Sequence, residues 1–209
     1  MTSILIVDDH RVVASGTSRL LRDSDFEVKV LFSTDQLQEM LKDIRFDLFL
    51  IDWNMPGVNG FETIQTIFNL ILDAKIIIYT GYETEIIPDF DELVQQGVSG
   101  MISKSADIRT LLSGIYAVLA GYEVFPRTIA YQIRKRRVLV KKTEEKFDAR
   151  EREIIKAVIA GKTNGQIAEQ LYVNQRTVGY MLNKIYQKLS VHSREEMEEK
   201  VTKLGLILN

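Results

Sequence analysis

Residues 48–57 read LFLIDWNMPG. Four apolar residues run into Asp52, and after Trp53 and Asn54 comes a turn-forming Met-Pro-Gly. A short apolar run bounded by turn residues is the pattern of a strand buried on both faces. Such strands belong to parallel sheets covered by helices, so the flanking chain should alternate the two element types. Apolar or β-branched runs do recur at SILIV (3–7), EVKVLF (27–32), KIIIY (75–79) and GMIS (100–103). Helical periodicity fills the gaps between them. One helix is expected to share a face of Val12, Val13, Gly16, Leu20 and Leu21. A second shares Leu37, Met40, Leu41 and Ile44, with Ser33 and Gln36 as its capping box. A third shares Phe61, Ile64, Ile67 and Phe68. A fourth, near 85–96, is weaker. The fifth shares Ile108, Leu111, Leu112, Ile115, Tyr116 and Leu119. Five βα units predict an α/β domain with a parallel sheet covered on both sides.

After residue 122 the character changes. Residues 123–146 are basic and poorly patterned, and read as a linker with helix in its early part. From 147 the pattern is all helix, near 148–160, 164–171, 175–189 and 194–204. Capping boxes mark three starts: Asp148 with Glu151, Thr163 with Gln166, and Ser193 with Glu196. Asn174 is a good N-cap for the remaining helix. Three segments follow: a domain at 1–122, a linker at 123–146 and a small all-α domain at 147–209.

The net charge of −2 hides a division. Residues 1–120 hold 9 Lys/Arg and 18 Asp/Glu, and residues 121–209 hold 18 and 11. An acidic half and a basic half suggest different partners, although two solvated surfaces would also differ in charge. The chain has no cysteine, which excludes disulfides and thiolate metal sites and suits a reducing compartment. The start lacks the basic segment of a signal peptide, and no stretch approaches the roughly 20 apolar residues of a membrane helix. A cytoplasmic protein with no membrane partner is expected.

Parallel α/β sheets bind ligands outside the carboxyl ends of their strands. Here those ends carry Asp8-Asp9, Asp52, Thr80 and Lys104. Taken singly, each has a plain explanation as a turn former, strand filler or solvated charge. Together they do not. Clustered carboxylates repel and resist ionising, and a hard divalent cation such as Mg²⁺ resolves this. A carboxylate nucleophile, a cation, a hydroxyl and an ammonium fit phosphoryl transfer onto Asp52, which needs alignment and charge neutralisation.

The stretches ILIVDDH, LIDWNMPGVNG, YTGY and GVSGMISK make residues 1–120 resemble the receiver domain of a two-component response regulator. The resemblance implies a flavodoxin-like sheet of strand order 2-1-3-4-5. It implies Asp52 as phospho-acceptor and Asp9, with Asp8 beside it and the Asn54 backbone carbonyl, as Mg²⁺ ligands. Thr80 becomes the switch hydroxyl and Lys104 the phosphoryl-binding lysine. The donor would be a sensor histidine kinase. Two positions depart from the family pattern. Met101 stands where an aromatic is usual, and Ser105 where proline is usual. Asn54 and Tyr82 flank the site, either tuning phosphoryl lifetime or serving as ordinary loop residues. His10 reads as the start of the first helix rather than as a ligand.

Along 175–189, Val178, Met181, Leu182, Ile185 and Leu189 form an apolar face. Arg176, Gly179, Tyr180, Asn183 and Gln187 lie opposite, flanked by Lys184 and Lys188. That arrangement suits a helix in the major groove, and a solvated amphipathic helix explains it almost as well. The wider segment FDAREREIIKAVIAGKTNGQIAEQLYVNQRTVGYMLNKIYQKLSV resembles the LuxR/NarL-type helix-turn-helix domain, with a trailing GLI at 205–207. The resemblance implies DNA contact through Arg176, Thr177, Gly179, Tyr180, Asn183, Lys184 and Lys188. Tyr180 and Asn183 would read bases, because Gly179 and Met181 replace residues common in the family. Arg176, Lys184 and Lys188 would meet phosphates. The whole would be a transcription factor, not a turnover enzyme. Phosphorylation would favour a homodimer on duplex DNA with paired half-sites, and RNA polymerase is a further partner the family admits. Two other readings compete: an aspartyl-phosphate phosphohydrolase, and a scaffold that works without phosphorylation.

Overall fold

The computed structural model describes residues 1–204 and Leu206, so most of the GLI at 205–207 lies outside the described residues. The chain divides into two compact units, Met1–Tyr131 and Gln132–Asn209.

The first unit is a five-stranded parallel sheet with helices between the strands. The strands are β1 (Ser3–Val7), β2 (Glu27–Leu31), β3 (Leu48–Ile51), β4 (Ile76–Thr80) and β5 (Gly100–Ser103), in the order β2-β1-β3-β4-β5. This is the fold class and strand order expected from the sequence. The three central strands are β1, β3 and β4, and they are almost wholly buried. That explains why they read as unbroken apolar runs rather than alternating ones. Their register pairs Val7 with Ile51 and Ile51 with Ile78, so β1 and β3 end level and β4 runs two residues further, to Thr80.

The helices are α1 (Arg11–Arg22), α2 (Leu37–Asp43), α3 (Gly60–Leu70), α4 (Phe90–Gln95) and α5 (Ile108–Leu119). The weak fourth pattern resolves into a 3₁₀ turn, Glu83–Ile86, and the short α4. Pro88 lies between them and lacks the N–H that a continuous helix would need.

Two expectations about helices are corrected. The α1 face against the sheet is Ala14, Thr17, Ser18 and Leu21. Val12, Val13 and Leu20, expected inside, are exposed. Small side chains let the helix backbone approach the sheet, and the larger apolar residues then fall outside. Ser33 does not cap α2. Its hydroxyl bonds Asp35, and the N-cap Gln36 makes no side-chain capping bond.

The chain from Arg127 to Glu144 is one helix, α6, which reaches into the second unit. There follow α7 (Ala149–Ile159), α8 (Asn164–Gln170), α9 (Gln175–Leu189) and α10 (Arg194–Leu204). The last four are the four expected helices. Their shared core includes Phe147, Ile154, Val158, Ile167, Val178, Leu182, Ile185 and Met197. Asp148 and Thr163 form complete capping boxes, and Asn174 accepts the Thr177 amide. At the third expected box, Ser193 Oγ accepts the Glu196 amide, but the Glu196 carboxylate accepts from His192 N–H, one residue earlier than a box requires.

Candidate functional site

The sheet itself assembles the first site. Asp8 N–H donates to the Leu31 carbonyl, Asp52 N–H to Val7 and Lys104 N–H to Thr80. These bonds extend the ladder one residue past each strand. The side chains of Asp8, Asp52, Thr80 and Lys104 are thereby fixed at one edge.

Asp8 and Asp52 are buried and Asp9 is half-buried. The Lys104 ammonium lies 2.8 Å from Asp8 Oδ2 and 2.8 Å from Asp52 Oδ2. Burial alone would pull this lysine down, but the Asp52 and Asp8 carboxylates outweigh burial and hold it above the ordinary lysine value. Asp8 Oδ2, Asp9 Oδ1 and Asp52 Oδ2 are all buried; Lys104 contacts the first and third, and His10 Nδ1 lies 3.0 Å from the second. One ammonium cannot balance three carboxylates in a site shielded from water. The pocket is therefore an acidic oxygen-donor site with an unmet demand for positive charge. Its donor set fits a hard cation such as Mg²⁺.

His10 is the site residue that reading the sequence missed. It is the N-cap of α1, as expected of a helix start. Its Nδ1 also lies 3.0 Å from Asp9 Oδ1 and 3.5 Å from oxygens of Asp8 and Asp52. Ligand atoms of Asp8, Asp9, His10 and Asp52 fall within 4.8 Å of one another. The signal was there: a residue directly after Asp8-Asp9 has to leave the same strand end.

The loop after β3 holds its shape by three local devices. Val58 N–H donates to the Met55 carbonyl, and Gly57 takes a left-handed φ of 73°, as the second central residue of a type II turn does. Gly60 lies under Trp53, where a Cβ would come within 2.5 Å of the indole. Trp53 in turn meets Phe61 edge-on. Within this loop the Asn54 side chain accepts from Thr80 Oγ1 at 3.2 Å and donates to Glu85 Oε2 at 2.9 Å. Tyr82 is exposed, and its backbone N–H donates to Thr80 Oγ1.

Met101 is buried on β5 opposite Ile78. It lines a cavity of about 590 Å³ with Gly114, Val124 and Phe125, so an adaptable side chain has room to repack there. At Ser105 the backbone N–H donates to Ser103 Oγ, a bond that proline could not make.

The second site is the outer face of α9. Tyr180 is 73% exposed, and Arg176, Asn183 and Lys184 are exposed beside it. At Gly179 a Cβ would meet nothing within 4 Å, so the residue leaves a gap in that face. The Thr177 hydroxyl bonds the Asn174 cap and is partly occupied by local structure. Lys188 has a different employment from the phosphate contact expected of it. Its ammonium bonds both oxygens of buried Glu151 and the Lys146 carbonyl, and sits over the Phe147 ring. Burial pushes the Glu151 carboxyl up, but the Lys188 bond and the Asp148 amide outweigh it and hold Glu151 below the ordinary glutamate range. Lys184 lies 3.4 Å from the same carboxylate.

Residues 4–116 match the family model of the response regulator receiver domain, and residues 146–199 match that of the luxR family of bacterial regulatory proteins. The transcriptional regulatory protein ComA of Bacillus subtilis is 35% identical, over 94% of this chain and 95% of its own. The response regulator UvrY of Escherichia coli K12 is 30% identical, over 99% and 96%. Among solved structures, the response regulator ChrA of a heme-sensing two-component system is 26% identical, with a TM-score of 0.50 over 98% of both chains. The response regulator RcsB in complex with DNA is 18% identical, with a TM-score of 0.61 over 96% of this chain and 98% of that one, which shows a shared fold. No helix among the described residues is long and apolar enough to cross a membrane.

Proposed function

Since the chain belongs to the two-component response regulators that join a receiver domain to a LuxR-type DNA-binding domain, we propose that it is a transcription regulator switched by phosphorylation of Asp52. The observation that carries this reading is the convergence of three buried carboxylate oxygens on the single ammonium of Lys104. Asp52 Oδ2 is the nucleophile. An oxygen–phosphorus bond forms there as the nitrogen–phosphorus bond of a kinase phosphohistidine breaks, and the histidine nitrogen leaves with the electron pair. Lys104 shifts from balancing Asp52 and Asp8 to balancing the phosphoryl oxygens. Asp8, Asp9, Asp52 and the Asn54 backbone carbonyl would hold Mg²⁺, which neutralises phosphoryl charge. Thr80 gives up Asn54 and donates to the phosphoryl group. Met101 repacks behind it in place of an aromatic.

The added charge of roughly −1.5 to −2 at Asp52 biases the receiver toward a dimer-competent state. Two helix-turn-helix units then meet two half-sites at once, raising effective concentration without new base contacts. On α9, Tyr180 and Asn183 would read base edges, with Gly179 leaving open space beside Asn183. Arg176 and Lys184 are placed for phosphates, and Thr177 and Lys188 support the helix from its cap and its core side. A cytoplasmic location and a sensor histidine kinase partner follow from the same reading, with RNA polymerase downstream.

The test is incubation with a small phosphodonor and Mg²⁺, followed by mass measurement. The wild type should gain one phosphoryl group and Asp52→Ala none. Uptake by Asp52→Ala would overturn the acceptor assignment. Beryllofluoride should raise the dimer fraction of the wild type only.

A further inference from the structure

DNA-binding units usually carry a basic footprint, and in this chain it is not on the helix-turn-helix. Residues 147–209 carry ten Lys/Arg against eight Asp/Glu, a net of +2. Residues 132–146 carry seven against two, a net of +5 in far fewer residues. Several cations after 146 are also engaged internally. Lys188 holds Glu151, Arg194 bonds Glu198 at 3.0 Å, and Lys162 bonds Gln170 at 2.7 Å. On α6, Arg136 and Arg137 are engaged as well, and the exposed Arg134, Lys135, Lys141 and Lys142 are the dense group that could attract a polyanion.

Its geometry there is regular. Ile133 and Thr143 are buried and set the inner side of the helix. Arg134, Lys135, Lys141 and Lys142 are exposed. Arg134 and Lys141 are seven residues apart, as are Lys135 and Lys142, so the four form two rows along one face. At 3.6 residues per turn they fall within an arc of about 120° and span about 12 Å of helix. Duplex DNA presents about seven phosphates over that length. The exposed large apolar residues of α6 are Tyr131, Val138 and Leu139, too few to make the apolar face with which an amphipathic helix enters a bilayer. The matching partner is a phosphate backbone.

We propose that this face of α6 is a second, sequence-independent DNA-contact surface, adding phosphate contacts to the few that Arg176 and Lys184 give the nearly neutral helix-turn-helix. The proposal rests on the DNA-binding reading above. It assigns α9 to sequence preference and α6 to the electrostatic share of affinity.

The experiment uses the full chain and a mixed-sequence DNA duplex, with affinity measured by fluorescence anisotropy across a salt series. The variant replaces Arg134, Lys135, Lys141 and Lys142 together by glutamine. Its slope of log affinity against log salt should be shallower than the wild type's by up to about 3.6, at roughly 0.9 for each of the four phosphates no longer neutralised. A charge-conserving variant (R134K, K135R, K141R, K142R) should keep the wild-type slope, which separates loss of charge from loss of fold. An unchanged slope in the glutamine variant, with the wild type binding normally, overturns the α6 surface alone. Binding of the wild type to phosphatidylglycerol vesicles with that same unchanged slope overturns it in favour of a membrane surface. No binding of the wild type to the duplex at low salt overturns the DNA-binding reading and this surface with it.

Discussion

Thr80 Oγ1 donates to Asn54 Oδ1 at 3.2 Å, and the chemistry around the bond fixes its direction. Tyr82 N–H donates into the Thr80 oxygen, leaving the hydroxyl hydrogen for Asn54. The Asn54 amide cannot be reversed, because its oxygen would then face the Glu85 carboxylate at 2.9 Å. The Thr80 hydroxyl is therefore committed to a loop residue, and the proposed contact with a phosphoryl group must break that bond. Asn54→Ala removes both side-chain bonds, and the one that holds Thr80 in the resting state is worth about 1 kcal/mol. Beryllofluoride should bind this variant about fivefold more tightly, as read by titration calorimetry with Mg²⁺ present. Unchanged or weaker binding would show that the Asn54 bond does not oppose the switch.

Trp53 follows Asp52 directly and packs on Gly60 and Phe61, so its fluorescence should report on ions entering the acidic pocket. Mg²⁺ should change the emission of the wild type in a saturable way. Asp9→Asn removes the charge of one of the three carboxylates in the pocket. It should weaken that response by more than about tenfold, since even an indirect support of a metal costs that much. A response of wild-type affinity would place the ion away from Asp9.

The sheet was legible because burial on both faces leaves an unmistakable record. The runs at 3–7, 48–51 and 76–80 have nowhere to put polar residues. The site was legible through the strand ends, since parallel order forces Asp8, Asp52, Thr80 and Lys104 onto one edge. What failed was anything decided by close approach. The inner face of α1 is small and partly hydroxylic, and a hydrophobicity pattern weighs Val12 and Leu20 above Ala14 and Ser18. Ser33 had the right spacing for a cap, but its hydroxyl found Asp35. Lys188 looked like a marginal surface cation because its partner lies 37 residues away in sequence. Periodicity within one helix holds no information about an ion pair with another.

Tyr180 projects from α9 with 73% of its surface exposed and contributes little to the core. Tyr180→Ala should therefore leave unfolding within about 0.5 kcal/mol of the wild type. Its effect should appear in DNA selection from a random pool, with a flatter preference at one position of each half-site and an unchanged salt slope. Loss of stability instead would make Tyr180 a packing residue.

Glu151 is 1% exposed, and Lys188 bonds it from across the domain. Removing the lysine leaves a buried carboxylate with Lys184 at 3.4 Å as its remaining nearby cation. Lys188→Ala should destabilise the C-terminal unit by about 3 kcal/mol at neutral pH, the low end for half of a buried pair. Hydrogen exchange of the α7 and α9 amides in the full chain reads this locally. The folded-state pKa of Glu151 is lowered, so the stability it contributes is present above the ordinary glutamate value of about 4.3. That contribution is lost as pH falls through the lower, folded-state value. The gap between wild type and Lys188→Ala should therefore be full at neutral pH and narrow in acid, once Glu151 is protonated in both. A gap of constant size from neutral pH into acid would mean that the Lys188 ammonium over the Phe147 ring, rather than its pairing with Glu151, stabilises the domain.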